Sequence, residues 1–114
     1  SDLARFVDHL PRYFASPEIF IDSTDEKKFQ IIQRLQRYLR EKNYDFIDLD
    51  GARIKLPHGW ALARAANTTP HIKCRFEGDT QEHLVETEKK ALEIFKKAGL
   101  PVTEKIYREL GLLS

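Results

Sequence analysis

The sequence predicts an α+β fold, in which an antiparallel sheet carries two helices packed on one face in the order β-α-β-β-β-α, plus short helices at both ends. Two long stretches repeat their apolar residues at helical spacing, and the segment between them alternates with a period of two. The strands follow one another too closely, and the helices lie too far apart, for alternating parallel units. An antiparallel sheet covered by helices satisfies these observations.

Two short elements precede the first long helix. Apolar residues at helical spacing, Leu3, Phe6, Val7 and Leu10, indicate a short amphipathic helix that ends at Pro11. We expect an irregular stretch from there to Pro17. Ile19 and Ile21 then alternate with Glu18, Phe20 and Asp22, which predicts a brief strand with one buried face.

The first long helix is expected to run from about Asp25 to Lys42. Ser23, followed three positions later by Glu26, forms a capping-box pattern at its start. Its predicted buried stripe consists of Phe29, Ile32, Leu35 and Leu39. Four basic residues are expected to lie largely off that stripe as a solvated face, namely Lys28, Arg34, Arg37 and Arg40.

Three strands are predicted next, with turns at Asp50-Gly51 and His58-Gly59. The predicted core face carries Ala52, Ile54, Leu56, Ile72, Cys74 and Phe76. The opposite face carries the cations Arg53, Lys55, Lys73 and Arg75. Trp60 to Ala63 is predicted as the middle strand, and a polar loop is expected from Arg64 to Pro70.

The second long helix is expected to begin at a further capping-box pattern, Asp79 with Glu82. Gly99 at the position after the helix and Pro101 beyond it predict its end. Thr103 is expected to cap a last short helix that ends at Gly111.

The length and composition of the chain limit the classes of function that it can have. The 114 residues suit one domain of roughly 100 to 150 residues, and 41% apolar residues suffice for a core. A net charge of +1 gives no overall attraction to nucleic acid or to an anionic membrane. The single cysteine cannot form an intramolecular disulfide, and no apolar run approaches the ~20 residues of a membrane span. We therefore expect a cytoplasmic protein and, since the chain has no methionine, a fragment of a longer one.

The loop from Arg64 to Pro70 is the strongest candidate for chemistry. Arg64 offers a planar fork of donors to two phosphate oxygens, and Asn67, Thr68 and Thr69 add neutral donors. Charge-assisted bonds of this kind contribute on the order of 1.5 to 3 kcal/mol each. Composition alone also allows an ordinary polar turn between two strands.

Other candidate chemistry is weaker. His9, His58, His71 and His83 share no metal-ligand spacing, so we interpret them as surface or turn residues and predict no metal site. Cys74 alternates with core residues and is expected to be a small buried side chain. The paired acids, Glu86 with Glu88 and Asp48 with Asp50, have no accompanying nucleophile or base. No residue of this chain is predicted to be catalytic.

The loop, Arg64-Ala-Ala-Asn-Thr-Thr-Pro70, resembles the phosphate-binding signature of the α-D-phosphohexomutases, R-A/P-S-N/G-T-E/T-P. Its flanks resemble the same family in the same order. They are Leu10-Pro-Arg-Tyr13, Ser16-Pro-Glu-Ile19, Asp50-Gly-Ala-Arg-Ile54, Gly59-Trp-Ala-Leu62 and Arg75-Phe-Glu77. The resemblance covers roughly Leu10 to Gly99, and it leaves the last helix unassigned.

The resemblance implies a four-domain cytoplasmic enzyme of the phosphomannomutase/phosphoglucomutase type, which interconverts hexose 1-phosphate and 6-phosphate. It implies Mg²⁺ and hexose 1,6-bisphosphate as cofactors of the full-length enzyme, none of them bound by this domain. The chain would be the C-terminal domain, with residues 1–16 as the tail of the preceding domain and a hinge, and residues 17–114 as the domain itself with an extra terminal helix. Its partners would be the phosphosugar and the other three domains, without nucleic acid or membrane, and the fragment alone is expected to be inactive.

Residues Arg64, Ala66, Asn67, Thr68 and Thr69 match the family's phosphate-binding positions. Ala66 departs from the pattern, because the family usually has serine there, and the missing hydroxyl is expected to weaken binding by about 1 kcal/mol, or by less where the backbone N–H does most of the binding. Thr69, in place of the commoner glutamate, resembles the bifunctional phosphomannomutase/phosphoglucomutase branch.

Two alternatives belong to other classes. A nucleic-acid-binding α+β module would use the basic sheet face of Arg53, Lys55, Lys73 and Arg75. Single-strand readers usually add aromatic stacking platforms, whereas Trp60 and Phe76 are expected on the other face or in the flanks. A pure interaction domain without a ligand would leave the loop unexplained.

Overall fold

Six antiparallel strands form one sheet in the computed structural model, which describes residues 14–113. The elements are β1 Phe14–Ala15, β2 Ile19–Asp22, α1 Lys28–Glu41, β3 Phe46–Ile47, β4 Ala52–Leu56, β5 Gly59–Ala65, β6 His71–Gly78, α2 Gln81–Lys97 and α3 Glu104–Glu109. The predicted α+β class and the short C-terminal helix are confirmed. The predicted N-terminal helix lies outside the described residues.

The sheet is built around the hairpin of β5 and β6. Its order is β1-β6-β5-β4-β3, and β2 also pairs with β6, so that β1 and β2 share the outer edge of that strand. Ser16, between them, donates its backbone N–H to the Phe76 carbonyl at 2.9 Å, and its hydroxyl accepts the Phe76 N–H at 3.0 Å. The expectation of an irregular stretch up to Pro17 is therefore wrong, because Phe14 and Ala15 pair with β6.

One face of the sheet is buried beneath helices α1 and α2, which contact the central strands. Alternate residues of β4, β5 and β6 supply this face, namely Ala52, Ile54, Leu56, Ala61, Ala63, Ile72, Cys74 and Phe76. The rings of Phe76 and Phe95 meet in the core with centroids 6.2 Å apart. Among the described residues, no helix combines the length and the hydropathy needed to cross a membrane.

Helix α1 begins later than predicted. The Thr24 hydroxyl, not the predicted Ser23, accepts the backbone N–H of Lys27 at 3.0 Å. The residues from Asp25 to Lys27 form a turn before the regular helix. Both Ser and Thr suit such a position, and the polar residue nearer the helix makes the bond here.

The start of α2 is also displaced by one residue from the prediction. Thr80 is its N-cap, and the Thr80 hydroxyl accepts the backbone N–H of His83 at 3.0 Å. Asp79, which was predicted to cap the helix, is thereby free to contact histidine side chains. The predicted acidic residue of the first turn, Glu82, is in place and favours the helix dipole.

Helix α2 ends as the sequence predicts. Gly99 has φ +96°, a left-handed conformation that favours glycine. Its N–H donates to the Lys96 carbonyl, and the Leu100 N–H donates to the Phe95 carbonyl, which together form a Schellman motif. Thr103 precedes α3 as its N-cap but makes no side-chain hydrogen bond there, contrary to expectation.

Candidate functional site

The candidate loop connects β5 to β6 and is held at both ends. The Ala66 N–H donates to the His71 carbonyl at 2.9 Å, which closes the hairpin. The Pro70 carbonyl accepts the Ser23 N–H at 2.9 Å, which ties the loop to the segment after β2. The loop is shorter than predicted, since β5 continues through Ala65. These bonds fix the shape of the loop from within the chain.

Arg64 lies at the end of β5 and not in the loop, which corrects the predicted boundary. Its side chain is 43% exposed on the open face of the sheet, and the strand register sets it beside Lys73 of β6. Its Nη1 lies 3.7 Å from Oδ2 of Asp50, which belongs to the Asp50-Gly51 turn. Arg64 is therefore available for an anion but has a carboxylate nearby.

The polar loop residues lie directly beyond Arg64. Asn67 and Thr68 are exposed, and Thr69 is half-buried. Their backbone N–H groups donate no hydrogen bond to the described residues. Four of the five predicted binding residues thus lie together at one end of the hairpin, with donors available.

Ala66, the fifth predicted residue, lies differently. It is 1% exposed, and its N–H is already used in closing the hairpin. It therefore contributes to the shape of the loop rather than a free donor.

Lys28 is a residue of this site that sequence reasoning missed. Its side chain is only 3% exposed, and its Nζ donates to the Thr69 carbonyl at 3.1 Å and to Oδ1 of Asp25 at 3.0 Å. The expectation that Lys28 lies on a solvated face is wrong. A buried ammonium thus supports the loop from the first turn of α1.

A signal for Lys28 was present in the sequence. Lys28, Ile32, Leu35 and Leu39 have the spacing of one helix face, and all four are buried. Phe29, which was predicted on this stripe, is 56% exposed. The helical spacing places Lys28 on the buried face, whereas side-chain hydropathy alone predicted that Phe29 would lie there.

A cavity of about 290 Å³ opens between α1, the Asp50-Gly51 turn and the loop. Its lining includes the polar residues Asp48, Asp50 and Asn67. The Asp48 carboxylate is paired with Arg40 at 2.7 Å. An anion at the loop would approach through this partly acidic surrounding.

The open face of the sheet carries the predicted cations together with an unexpected aromatic residue. Arg53, Lys55, Lys73 and Arg75 share this face, as predicted. Trp60 lies there too, which corrects the expectation that it belongs to the other face or the flanks. The Arg53 guanidinium lies 4.6 Å from the Trp60 ring centroid, so that it covers part of the aromatic surface.

The remaining titratable candidates divide into buried groups and one surface cluster. Burial raises the pKa of the Cys74 thiol, which makes it a core side chain rather than a nucleophile. Burial also raises the pKa of Glu88 on α2 to about 7. The sequence predicted no metal site, but the fold brings His58 and His83 together around Asp79.

Comparison with known proteins gives the family. The family model described as "Phosphoglucomutase/phosphomannomutase, C-terminal domain" matches residues 18–94, which is more than half of the chain. The chain belongs to this family. The match includes α1, the loop and the strands on both sides of it.

Curated relatives of this domain are several times longer than the chain. It is 46% identical over 74 residues to the phosphomannomutase/phosphoglucomutase of Pseudomonas aeruginosa, covering 65% of this chain and 16% of that protein. It is 38% identical over 77 residues to the phosphoglucomutase of Neisseria gonorrhoeae, covering 66% of this chain and 17% of that protein. The chain thus spans about a sixth of the relatives it matches and corresponds to one part of those longer proteins.

A solved structure shares the fold. A phosphoglucomutase/phosphomannomutase family protein from Burkholderia thailandensis matches 87% of this chain and 20% of its own length, with a TM-score of 0.66 and 24% identity. At this identity the likeness shows a shared arrangement of the sheet and helices.

Proposed function

We propose that this domain binds the non-reacting phosphate of a hexose phosphate, and of the bisphosphate intermediate, within a phosphohexomutase. The observation that carries the proposal is the position of Arg64 beside the available backbone donors of Asn67, Thr68 and Thr69. The names of the relatives support the substrate class, because they are phosphomannomutases and phosphoglucomutases. In this proposal Mg²⁺, the hexose 1,6-bisphosphate and the phosphoryl-transfer chemistry belong to the other three domains of a cytoplasmic enzyme.

The local chemistry suits a doubly charged phosphate group. A guanidinium presents two parallel N–H donors to two phosphate oxygens, and neighbouring backbone N–H groups add neutral donors. Lys28, which is bonded to the Thr69 carbonyl, and Lys73, the strand partner of Arg64, add positive charge near the loop. The hydrogen bonds at Ala66 and Pro70 hold the donors before the ligand arrives, which reduces the ordering required on binding.

Binding of the distant phosphate contributes to catalysis by orientation. A hexose phosphate held at one end presents its other end to the reacting groups, without any proton transfer by this domain. Because the intermediate must present both phosphates in turn, we propose that the domain reorients as a unit relative to the preceding domains. Phe14 and Ala15 pair with β6 and Ser16 makes two hydrogen bonds to Phe76, so these three residues of the predicted hinge would move with the sheet.

An NMR titration of the ¹⁵N-labelled chain with glucose 1-phosphate and mannose 1-phosphate tests the proposal. We expect weak saturable binding, with shift changes concentrated at Arg64 and at residues 67–69. The changes should disappear in Arg64→Ala and persist in the matched control Arg37→Ala, since Arg37 is exposed on α1. Equal behaviour of the two variants would refute a phosphate site at this loop.

Binding of single-stranded nucleic acid is the second candidate function. The position of Trp60 among Arg53, Lys55, Lys73 and Arg75 favours it, since base stacking and phosphate contacts commonly share one face. The cover of Trp60 by Arg53 and the net charge of +1 weigh against it. An oligonucleotide that shifts this face, together with sugar phosphates that shift nothing, would favour this candidate over the first.

A further inference from the structure

Three metal-ligating side chains converge at the end of the sheet opposite the phosphate loop. His58 lies in the turn between β4 and β5, Asp79 directly follows β6, and His83 lies in the first turn of α2. One ligand atom from each residue lies within 4.8 Å of the others. We propose that His58, Asp79 and His83 bind a divalent transition-metal ion of the Zn²⁺ class.

The backbone holds the three residues in position. The Asp79 N–H donates to the His58 carbonyl at 3.0 Å, so the turn and the end of β6 are bonded directly. The His83 N–H is held by the Thr80 hydroxyl, which fixes the first turn of α2. A site on such anchored segments needs reorientation of side chains only, and this favours binding.

The side chains are arranged around the Asp79 carboxylate. The two imidazole rings are stacked, with centroids 3.8 Å apart and an interplanar angle of 7°. Nδ1 of His83 is hydrogen-bonded to Oδ1 of Asp79, and Nδ1 of His58 lies 3.7 Å from Oδ2. The hydrogen bond with His83 holds the pKa of Asp79 below its ordinary value.

The ligand types select the class of metal. Two imidazole nitrogens with one carboxylate oxygen suit Zn²⁺, Ni²⁺ or Cu²⁺, whereas Mg²⁺ favours an all-oxygen environment. The three side chains are 31–47% exposed, so solvent can complete the coordination. The bound ion would join the β4–β5 turn to the start of α2.

This site is separate from the phosphate loop. Gly59 of β5 pairs with Gly78 next to the histidine cluster, whereas Ala65 pairs with Ile72 next to the loop. The seven residues of β5 between these ends span about 20 Å. Loss of metal binding therefore leaves the phosphate proposal untouched, and the reverse also holds.

Titration of the untagged 114-residue chain with Co²⁺ and Zn²⁺ tests the proposal. We expect saturable one-to-one binding by absorbance and calorimetry, at least tenfold weaker in His58→Ala and in His83→Ala. His71→Gln is the matched control, because His71 lies at the opposite end of β6, and its affinity should equal that of the wild type. Bound Co²⁺ should broaden the amide signals of residues 58–59 and 79–84.

Several results would overturn the proposal. These are the absence of saturable binding, broadening centred elsewhere, and equal affinity of His58→Ala, His83→Ala and the wild type. Competition by Mg²⁺ at concentrations similar to Zn²⁺ would overturn the metal class. Because the broadening is measured on the wild-type chain, the test does not depend on the folding of any variant.

Discussion

Replacement of Lys28 by methionine tests two roles of this residue: its support of the proposed phosphate loop and its contribution to the stability of the fold. Lys28→Met keeps most of the apolar stem and removes the ammonium that contacts Thr69 and Asp25. A hydrogen bond from a charged donor to a carbonyl, such as that of Thr69, contributes about 1.5 to 3 kcal/mol. The pair with Asp25, which is 73% exposed, adds about 0 to 1 kcal/mol.

The two consequences of Lys28→Met differ in size. Removal of a buried charge also removes its desolvation penalty, so the free energy of unfolding should change by less than about 2 kcal/mol. Phosphate affinity should fall about tenfold, or about 1.4 kcal/mol, because the loop loses its anchor at Thr69 and a nearby positive charge.

The measurements are urea unfolding and the NMR titration with glucose 1-phosphate, with Lys27→Met as the matched control. Lys27 is the adjacent exposed lysine, so its replacement changes the net charge equally without disturbing the loop. Equal affinities of Lys28→Met and Lys27→Met would refute the reasoning. A loss of stability well above 2 kcal/mol would refute the account of the buried charge.

Three further changes test the site and the core. Asp50→Asn should tighten phosphate binding up to about fivefold, because it releases Arg64 from the nearby carboxylate. Asparagine tolerates the φ of +56° at this position. Asp48→Asn, the control, should have a smaller effect in the same titration. Because Ala66 is 1% exposed, Ala66→Ser should change the phosphate affinity by less than about 1 kcal/mol, and a larger gain in the same titration would contradict the buried position of this side chain. Burial raises the pKa of Glu88 from its ordinary value of 4.5 to about 7. The free energy of unfolding should therefore fall as the pH rises from about 4.5 to 7. In urea unfolding at pH 5 and pH 8, the stability of Glu88→Gln relative to the wild type should increase by on the order of 3 kcal/mol, and a constant difference would contradict the raised pKa.

The central part of the fold was predictable because its patterns are long. Strands β4 and β6 alternate over five and eight residues, and Gly99 marks the end of α2. β1 and β3 have two residues each, which is too short for a period to appear, and long-range pairing alone makes them strands. The length of an element therefore decided whether its sequence revealed it.

The candidate sites were predictable from the sequence only where their residues are contiguous. Arg64 and the loop after it are contiguous, so their chemistry and their resemblance to the phosphohexomutases could be seen in the sequence. His58 and Asp79 are 21 positions apart, and the pairing of β5 with β6 brings them together. Thr80, rather than Asp79, caps α2 and leaves the carboxylate to the histidines. No local sequence pattern predicts that the Asp79 carboxylate contacts the two histidines.

Contacts within the described chain hold the shape of the proposed phosphate loop. The loop is closed by Ala66 and His71, tied through Pro70 to Ser23, and supported by Lys28, all within the described chain. The donors that remain therefore have fixed positions relative to the strand that carries the guanidinium. On the proposed function, the phosphate affinity of this chain should be low because contacts from the proposed other domains are missing, while the loop itself is preformed. Cationic side chains added near the loop should therefore raise its phosphate affinity more than substitutions that stiffen its backbone.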